Sequence, residues 1–179
     1  MYTMLNKFKD IIPIYSFQNV LTEKTLVINY SYLLFSLTVL KKHASYQYKL
    51  LTCISGVDLL GSSYRFLVVY ELLSLTYNAR LKLKVFLNEI TTLQSSISIF
   101  INADWWEREI WDLYGIYFSS HPDLRRILTD YGFEGHPMRK DFPLSGYIEL
   151  RYDESKKRVI TESIQLAQEF RTFTLETPW

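Results

Sequence analysis

Cysteine is almost absent: Cys53 is the only one in 179 residues. One thiol cannot close an intrachain disulfide, nor can it supply an all-cysteine zinc or iron–sulfur site from this chain alone. Long apolar runs are missing as well. A membrane helix needs about 20 consecutive apolar residues, and the nearest stretch, Tyr32 to Leu40, is short and carries Ser36 and Thr38. Neither sign of charge predominates, since the net charge is +1, which argues against a general phosphate-binding surface. No glycine-rich phosphate loop is present: the run from Gly56 to Gly61 lacks the further glycine and the lysine such a loop uses. Ser145 has no nucleophile-elbow pattern around it. The first ten residues hold Lys7 and Lys9 but no apolar signal core and no arginine-rich presequence. The expectation is a chain that needs no import signal or has lost one.

Aromatic residues are abundant, at 16%, with 14 Tyr and 11 Phe, enough for both a core and a buried interface. Hydrophobic spacing predicts an edge strand over Ile11 to Phe17, placed at the edge by Pro13, and a second over Leu26 to Ile28. A helix over about residues 31–43 follows, capped by Asn29 or Ser31, with Leu33, Leu37 and Leu40 on one face. Three strands come next: Tyr48 to Ile54, ended by Gly56-Val57-Asp58; Phe66 to Leu73, apolar on both faces apart from Glu71; and Arg80 to Val85, which alternates charged and apolar. The short Thr76-Tyr77-Asn78-Ala79 connection predicts an antiparallel hairpin between the last two. Residues 88–103 are weakly patterned. A second helix starts near Asp104, read as its N-cap with Glu107 completing a capping box, and stops at Gly115. Arg108 and Asp112, four apart, are expected to pair on its surface. Of the three nearby tryptophans, Trp106 is assigned to the core, while Trp105 and Trp111 cover the C-terminal segment or a partner.

Beyond residue 118 the pattern changes. Residues 119–158 hold three of the six Gly and three of the five Pro, and eight basic residues face seven acidic ones. No helical or strand period runs from His121 to Tyr147, yet the aromatics are too many for a solvated linker. A short helix fits Pro122 to Leu128, strands fit Glu149 to Tyr152 and Val159 to Ile164, and a helical turn fits Gln165 to Phe170. The organisation expected is an α+β domain over residues 1–118, a small antiparallel or mixed sheet packed with helices. A long, extended, turn-rich C-terminal arm over residues 119–179 then becomes ordered by lying on other surfaces.

Catalytic and metal chemistry find little support here. Glu107, Glu109 and Asp112 read as the first turn and outer face of a helix rather than as paired acid–base carboxylates. An enzyme would need Glu107, Glu109 and His121 to converge in one pocket. His121 and His136 each precede a proline and suit turn roles, without helical ligand spacing between them. The interleaved Arg125, Arg126, Arg139, Lys140, Tyr131, Phe133 and Phe142 could suggest single-stranded nucleic acid, but matched acidic residues favour a protein partner, where charge sets register.

The runs Glu107-Arg108-Glu109-Ile110-Trp111-Asp112-Leu113-Tyr114-Gly115, His121-Pro122-Asp123-Leu124-Arg125-Arg126-Ile127-Leu128, Asp130 to Pro137 and Arg139 to Tyr147 together resemble one family. It is the thirty-kilodalton subunit of respiratory complex I, subunit 9 of NADH dehydrogenase in its mitochondrially encoded form. The likeness is dense over residues 104–160 and loose upstream, where Gly56-Val57-Asp58 and Arg65 to Tyr70 agree; Met138 stands where the family usually has Leu. The resemblance implies a non-catalytic scaffold subunit of the peripheral arm of NADH:ubiquinone oxidoreductase, on the matrix side of the mitochondrial inner membrane. Such a subunit supports assembly and the electron transfer from NADH to ubiquinone that is coupled to proton pumping. It implies no cofactor in this chain, with flavin and iron–sulfur clusters in partner subunits. The implied partners are the forty-nine-kilodalton subunit and the iron–sulfur subunits, with no nucleic acid and no membrane span. The interface residues expected on this reading are Trp105, Arg125, Arg126, Tyr131, Phe133, His136, Arg139, Lys140, Asp141, Phe142, Tyr147 and Arg151.

Overall fold

Alternating apolar side chains in five strands build one mixed sheet. A computed structural model describes residues 11–20, 23–166, 168, 170–177 and 179; the reading of the first ten residues lies outside them. The strands are β1 (Ile14–Val20), β2 (Glu23–Ile28), β3 (Leu50–Asp58), β4 (Phe66–Ser74) and β5 (Ala79–Leu87), in the spatial order β1-β2-β5-β4-β3. β3, β4 and β5 form an antiparallel meander, β1 and β2 an antiparallel hairpin, and β2 runs parallel to β5. The α+β class with a mixed sheet holds. β1 is at the edge, but it starts after Pro13 rather than containing it. The β4–β5 turn uses Asn78 at φ 44, a left-handed conformation that Asn tolerates better than most residues.

Leu81, Leu83, Val85 and Leu87 alternate along β5 and are all buried. They face two helices, α1 (Leu33–Lys42) and α2 (Ala103–Tyr114), whose Leu33, Leu37, Leu40, Ala103 and Ile110 join the same core. Each of those leucines contributes about 1.5–3 kcal/mol relative to exposure. α1 is entered through a 3-10 turn at Tyr30–Tyr32, and Asn29 accepts the Ser31 amide at 3.1 Å, as a cap should. Two short parallel strands, β6 (Leu93–Gln94) and β7 (Phe118–Ser119), tie the connection before α2 to the chain after it.

Several local readings are corrected. α2 is capped by Asn102, without a side-chain hydrogen bond, and not by Asp104. Pro122 to Leu128 forms no helix, because its backbone groups are taken by side chains of α2, as described below. β3 runs through Gly56 to Asp58 instead of ending there. Gly56 is needed for room: a Cβ there would sit 2.7 Å from Cδ2 of Tyr114. The helical turn expected at 165–170 falls partly outside the described residues, and the described ones there carry no helix.

The chain divides into two compact units, Met1–Lys140 and Asp141–Trp179. Residues 119–140 therefore belong with the sheet and helices, and the division lies at Lys140 and Asp141 rather than at residue 118. The second unit contains the hairpin of β8 (Ile148–Asp153) and β9 (Arg158–Ser163). Gly56→Ala should lower the unfolding free energy by about 1–3 kcal/mol through displacement of the Tyr114 ring. Equilibrium urea unfolding measures this, and an unchanged midpoint would mean the ring can move at no cost.

Candidate functional site

α2 is covered on two sides, and polar side chains do much of the work. On the side of the sheet, Glu107 is completely buried. It accepts hydrogen bonds from the Ser95 hydroxyl (2.6 Å), the Ser96 amide (2.7 Å) and the Ser96 hydroxyl (2.7 Å), which fastens the 95–96 loop to the helix. Burial pushes its pKa up, partly offset by those bonds and by His121. The His121 side chain is also fully buried, with Nε2 3.9 Å from Glu107 and 3.2 Å from Asp104 Oδ1. Its Nδ1 accepts the Asp123 amide at 3.1 Å. Glu107 is therefore not a capping-box member, and Asp104 faces His121 instead. The convergence that an enzyme would need is not met: Glu109 lies two residues along the helix, and Glu107 and His121 are sealed from solvent. Among the described residues, no group of three or more His, Cys, Asp and Glu could hold a metal.

On the opposite side, Arg108 and Asp112 do not pair with each other as their spacing predicts. Both take hold of the backbone of the following segment. Arg108 donates to the carbonyls of Arg125 (3.2 Å) and Arg126 (3.4 Å). Asp112, fully buried, accepts the amides of Ile127 (3.3 Å), Leu128 (2.8 Å) and Thr129 (2.8 Å) and the Thr129 hydroxyl (2.6 Å). A helix turn over 122–128 would claim the Ile127 and Leu128 amides that Asp112 takes instead. Burial alone would raise the Asp112 pKa, but the four hydrogen bonds from Thr129, Leu128 and Ile127 outweigh it and hold the carboxyl below its usual value.

The C-terminal end of α2 is closed by the next stretch. An α-helix leaves its last four carbonyls without intrahelical donors. Here Trp111 O accepts the Gly115 amide (2.9 Å), Asp112 O accepts His136 Nδ1 (2.9 Å), Leu113 O accepts the Met138 amide (3.1 Å) and Tyr114 O accepts Arg139 Nε (2.6 Å). Gly115, at φ +75, lets the chain turn, and a Cβ there would lie 2.6 Å from both Arg139 Nη2 and His136 Nε2. The Arg139 guanidinium also lies 5.1 Å from the centre of the Phe66 ring. One residue on, the Lys140 amide donates to Asp58 Oδ2 at 2.8 Å. Asp58 is buried, and Arg65 grips it at 3.0 and 3.2 Å. That guanidinium, with help from the Lys140 amide, holds its carboxyl below the usual value against the effect of burial.

The twelve expected interface residues thus separate. Arg126, which reaches Gly135 O (3.2 Å) and Asp112 Oδ1 (3.8 Å), points inward with His136 and Arg139 and serves the domain itself. Lys140 contributes its backbone, and Phe133 is half-buried. Trp105 is 69% exposed and Tyr131 fully so. Arg125 is exposed and pairs with Asp123 at 2.8 Å. In the second unit, Asp141 is exposed, Phe142 packs edge-on against Tyr147 at 5.5 Å, and Arg151 forms a two-pronged pair with Glu162 at 2.6 and 3.0 Å. Trp106 packs on the core, and Trp111 is half-buried against Tyr117 and His136. The residues that sequence reasoning missed are Asp58 and Asp112. Their donors, Arg65 apart, lie 15 or more positions away in the chain, so local sequence carries no mark of them.

The family described as "Respiratory-chain NADH dehydrogenase, 30 Kd subunit" matches residues 26–148. The chain belongs to this family. NADH-ubiquinone oxidoreductase subunit 9 of Reclinomonas americana is 52% identical over 157 residues, covering 88% of this complex I subunit and 77% of the relative. The protein of that name from Prototheca wickerhamii is 53% identical, covering 88% and 82%. NADH dehydrogenase [ubiquinone] iron-sulfur protein 3 of Beta trigyna is 54% identical over 151 residues, covering 84% and 79%. A chain of an archaeal respiratory membrane complex, the membrane-bound sulfane sulfur reductase, shares the fold at a TM-score of 0.69 and 18% identity, covering 80% of this chain and 85% of that one. The family match takes in the end of β2, both helices and the whole segment that closes α2.

These carboxylates set a pH dependence. Asp58 and Asp112 have lowered folded-state pKa values. Their stabilisation is therefore complete above the unfolded carboxylate pKa of about 4 and is lost as pH falls through the folded values. Glu107, with a raised pKa, acts with the opposite sign, weakening the fold as pH rises from the unfolded value through the folded one. Asp112→Ala should cost about 3 kcal/mol or more at neutral pH, because several amides lose their acceptor. It should also flatten the acid limb of a plot of urea midpoint against pH below about pH 4. A uniform downward shift that leaves the acid limb unaltered would contradict this.

Proposed function

We propose that this core subunit of complex I works as a non-catalytic scaffold, presenting a fixed surface that positions neighbouring subunits. The observation that carries the reading is the β8–β9 hairpin. Strand alternation puts Ile148, Leu150, Tyr152 and Val159 on one face with Thr161, and Glu149, Arg151, Arg158 and Glu162 on the other. The four apolar residues are all more than half exposed, at 56%, 61%, 55% and 61%. A two-stranded hairpin is marginal by itself in water, and contiguous apolar exposure marks an interaction surface. Covering that face with a partner would stabilise the hairpin and fix the partner's position together. Trp105, Tyr131 and Met138 add exposed aromatic and apolar surface on the first unit.

The finer assignment follows the family. The partners are the forty-nine-kilodalton subunit and the iron–sulfur subunits of the peripheral arm. The location is mitochondrial, on the matrix side of the inner membrane, and no described helix is long and apolar enough to cross a membrane. Flavin and iron–sulfur clusters sit in the partners, and this chain holds none. A lone half-buried Cys53 supports that assignment despite the iron–sulfur wording in one relative's name, because such clusters are held by four cysteines. The role is then to hold cluster-bearing chains at distances suited to electron transfer toward ubiquinone.

Leu150→Asp places a charge on the hairpin's apolar face and leaves the first unit's residues intact. Assembled complex I, measured by native gel electrophoresis, should fall to about a tenth of the parent level, in line with loss of a buried interface residue. The iron–sulfur potentials of the complex that does assemble should be unchanged. Normal assembly with shifted potentials would contradict the scaffold reading.

A further inference from the structure

Among the described residues of the first unit, the two helices cover one face of the five-stranded sheet and no helix covers the other, whose side chains are mostly half-buried. On the open face, alternation along β5 brings Arg80, Lys82, Lys84 and Phe86 into a single row. Strand pairing sets Leu73, Glu71, Val69 and Leu67 of β4 beside them. Two depressions mark the ends of this row. One, of about 430 Å³, is lined by Lys24, Arg80, Lys82, Thr52 and Asn78, with Glu71 the one carboxylate among its lining residues. Glu71 stands 3.6 Å from Lys82, both partly exposed. The other, of about 310 Å³, is lined by Tyr15, Val27, Tyr30, Tyr64 and Phe86. Its three tyrosines are 71%, 41% and 50% exposed. The row from Arg80 to Phe86 is about 20 Å long at strand spacing.

We infer that this face docks an acidic amphipathic helix of a partner subunit, with carboxylates at the Arg80–Lys82 end and a bulky apolar side chain among the tyrosines. This rests on the proposed role in a multisubunit complex and adds a second surface to it. Charge complementarity sets the sign and the direction, since three cations lining one depression face a single carboxylate while the other depression is aromatic and uncharged. Backbone hydrogen bonding sets the form. Both edges of β5 are already occupied, by β2 and by β4, so a segment lying along it finds no main-chain partners. A helix satisfies its own amides and carbonyls, and about 13 helical residues span a row of about 20 Å. A helix on this side would complete a second covering layer over strands half-buried on that face.

The test is a photo-cross-linking benzoylphenylalanine placed at Phe86, in the full chain within assembled complex I, with a second probe at Tyr131 as reference. The expected product at position 86 is one partner peptide, helical in that partner, with Asp or Glu one to three turns from the linked apolar residue. Arg80→Glu combined with Lys84→Glu should lower its yield about tenfold by placing like charges against the partner, while Arg80→Lys keeps it. Lys84→Gln, a milder change read the same way, should lower it less. Links from position 86 to a basic segment, to residues 141–179 of this chain, or to no polypeptide would overturn the inference, as would a yield indifferent to the charge changes. Partner links at position 131 with none at 86 would overturn this inference alone. Absence of partner links at both positions would count against the scaffold role as well.

Discussion

A helix that ends inside a protein must find donors for its last carbonyls, and α2 finds three of its four beyond the turn that ends it. His136 lies 24 positions from the carbonyl it serves, and Arg139 lies 25. The segment between is held by Asp112, whose carboxylate collects three consecutive amides, and by Arg108, which collects two carbonyls. Asp58, 82 residues away in sequence, takes the amide of Lys140 and closes the strap at its far end. Remove these polar grips and residues 121–140 have no secondary structure of their own to hold them. The buried carboxylates are therefore the joint on which the first unit's surface depends. Their lowered pKa values are the electrostatic record of that role.

This arrangement explains how an irregular segment can carry fixed chemistry outward. Its backbone is spent on α2 and Asp58, leaving Tyr131 and Met138 directed to solvent in a defined place. A scaffold subunit needs this combination: exposed anchors on a backbone that does not have to be ordered at the moment of binding, which lowers the entropic cost of association. The β8–β9 hairpin represents the complementary case. It has a clear register and an apolar face, but two strands alone are marginal in water, so a partner covering that face would stabilise it.

Local pattern made much of the fold legible. The Leu33, Leu37 and Leu40 spacing, the alternation along β5, the Asn29 cap and the β4–β5 turn are each set by neighbours in sequence, and each is where the pattern puts it. The parallel pairing of β2 with β5 and the short β6–β7 ladder depend on contacts across long intervals and left no periodic trace. The charged residues of α2 were misread for a related reason. Arg108 and Asp112 have the spacing of a surface ion pair, and Glu107 that of a capping box, yet better-placed backbone donors and acceptors elsewhere in the chain claim all three. The density of glycine, proline and charge past residue 118 did signal a segment ordered by contact. For residues 121–140 the surface contacted is the chain's own helix, which composition alone cannot distinguish from a foreign one.

The most direct test is amide hydrogen exchange in the isolated full-length chain, read at Leu128, Thr129, Met138 and Lys140. Those four amides donate to Asp112, the Leu113 carbonyl and Asp58. If the end of α2 and the two aspartates hold this segment, these amides exchange about a hundredfold or more below the unprotected rate, and protection is lost together in Asp112→Ala. Exchange at the unprotected rate in the intact chain would show that the strap is not formed without its partners and would contradict the account.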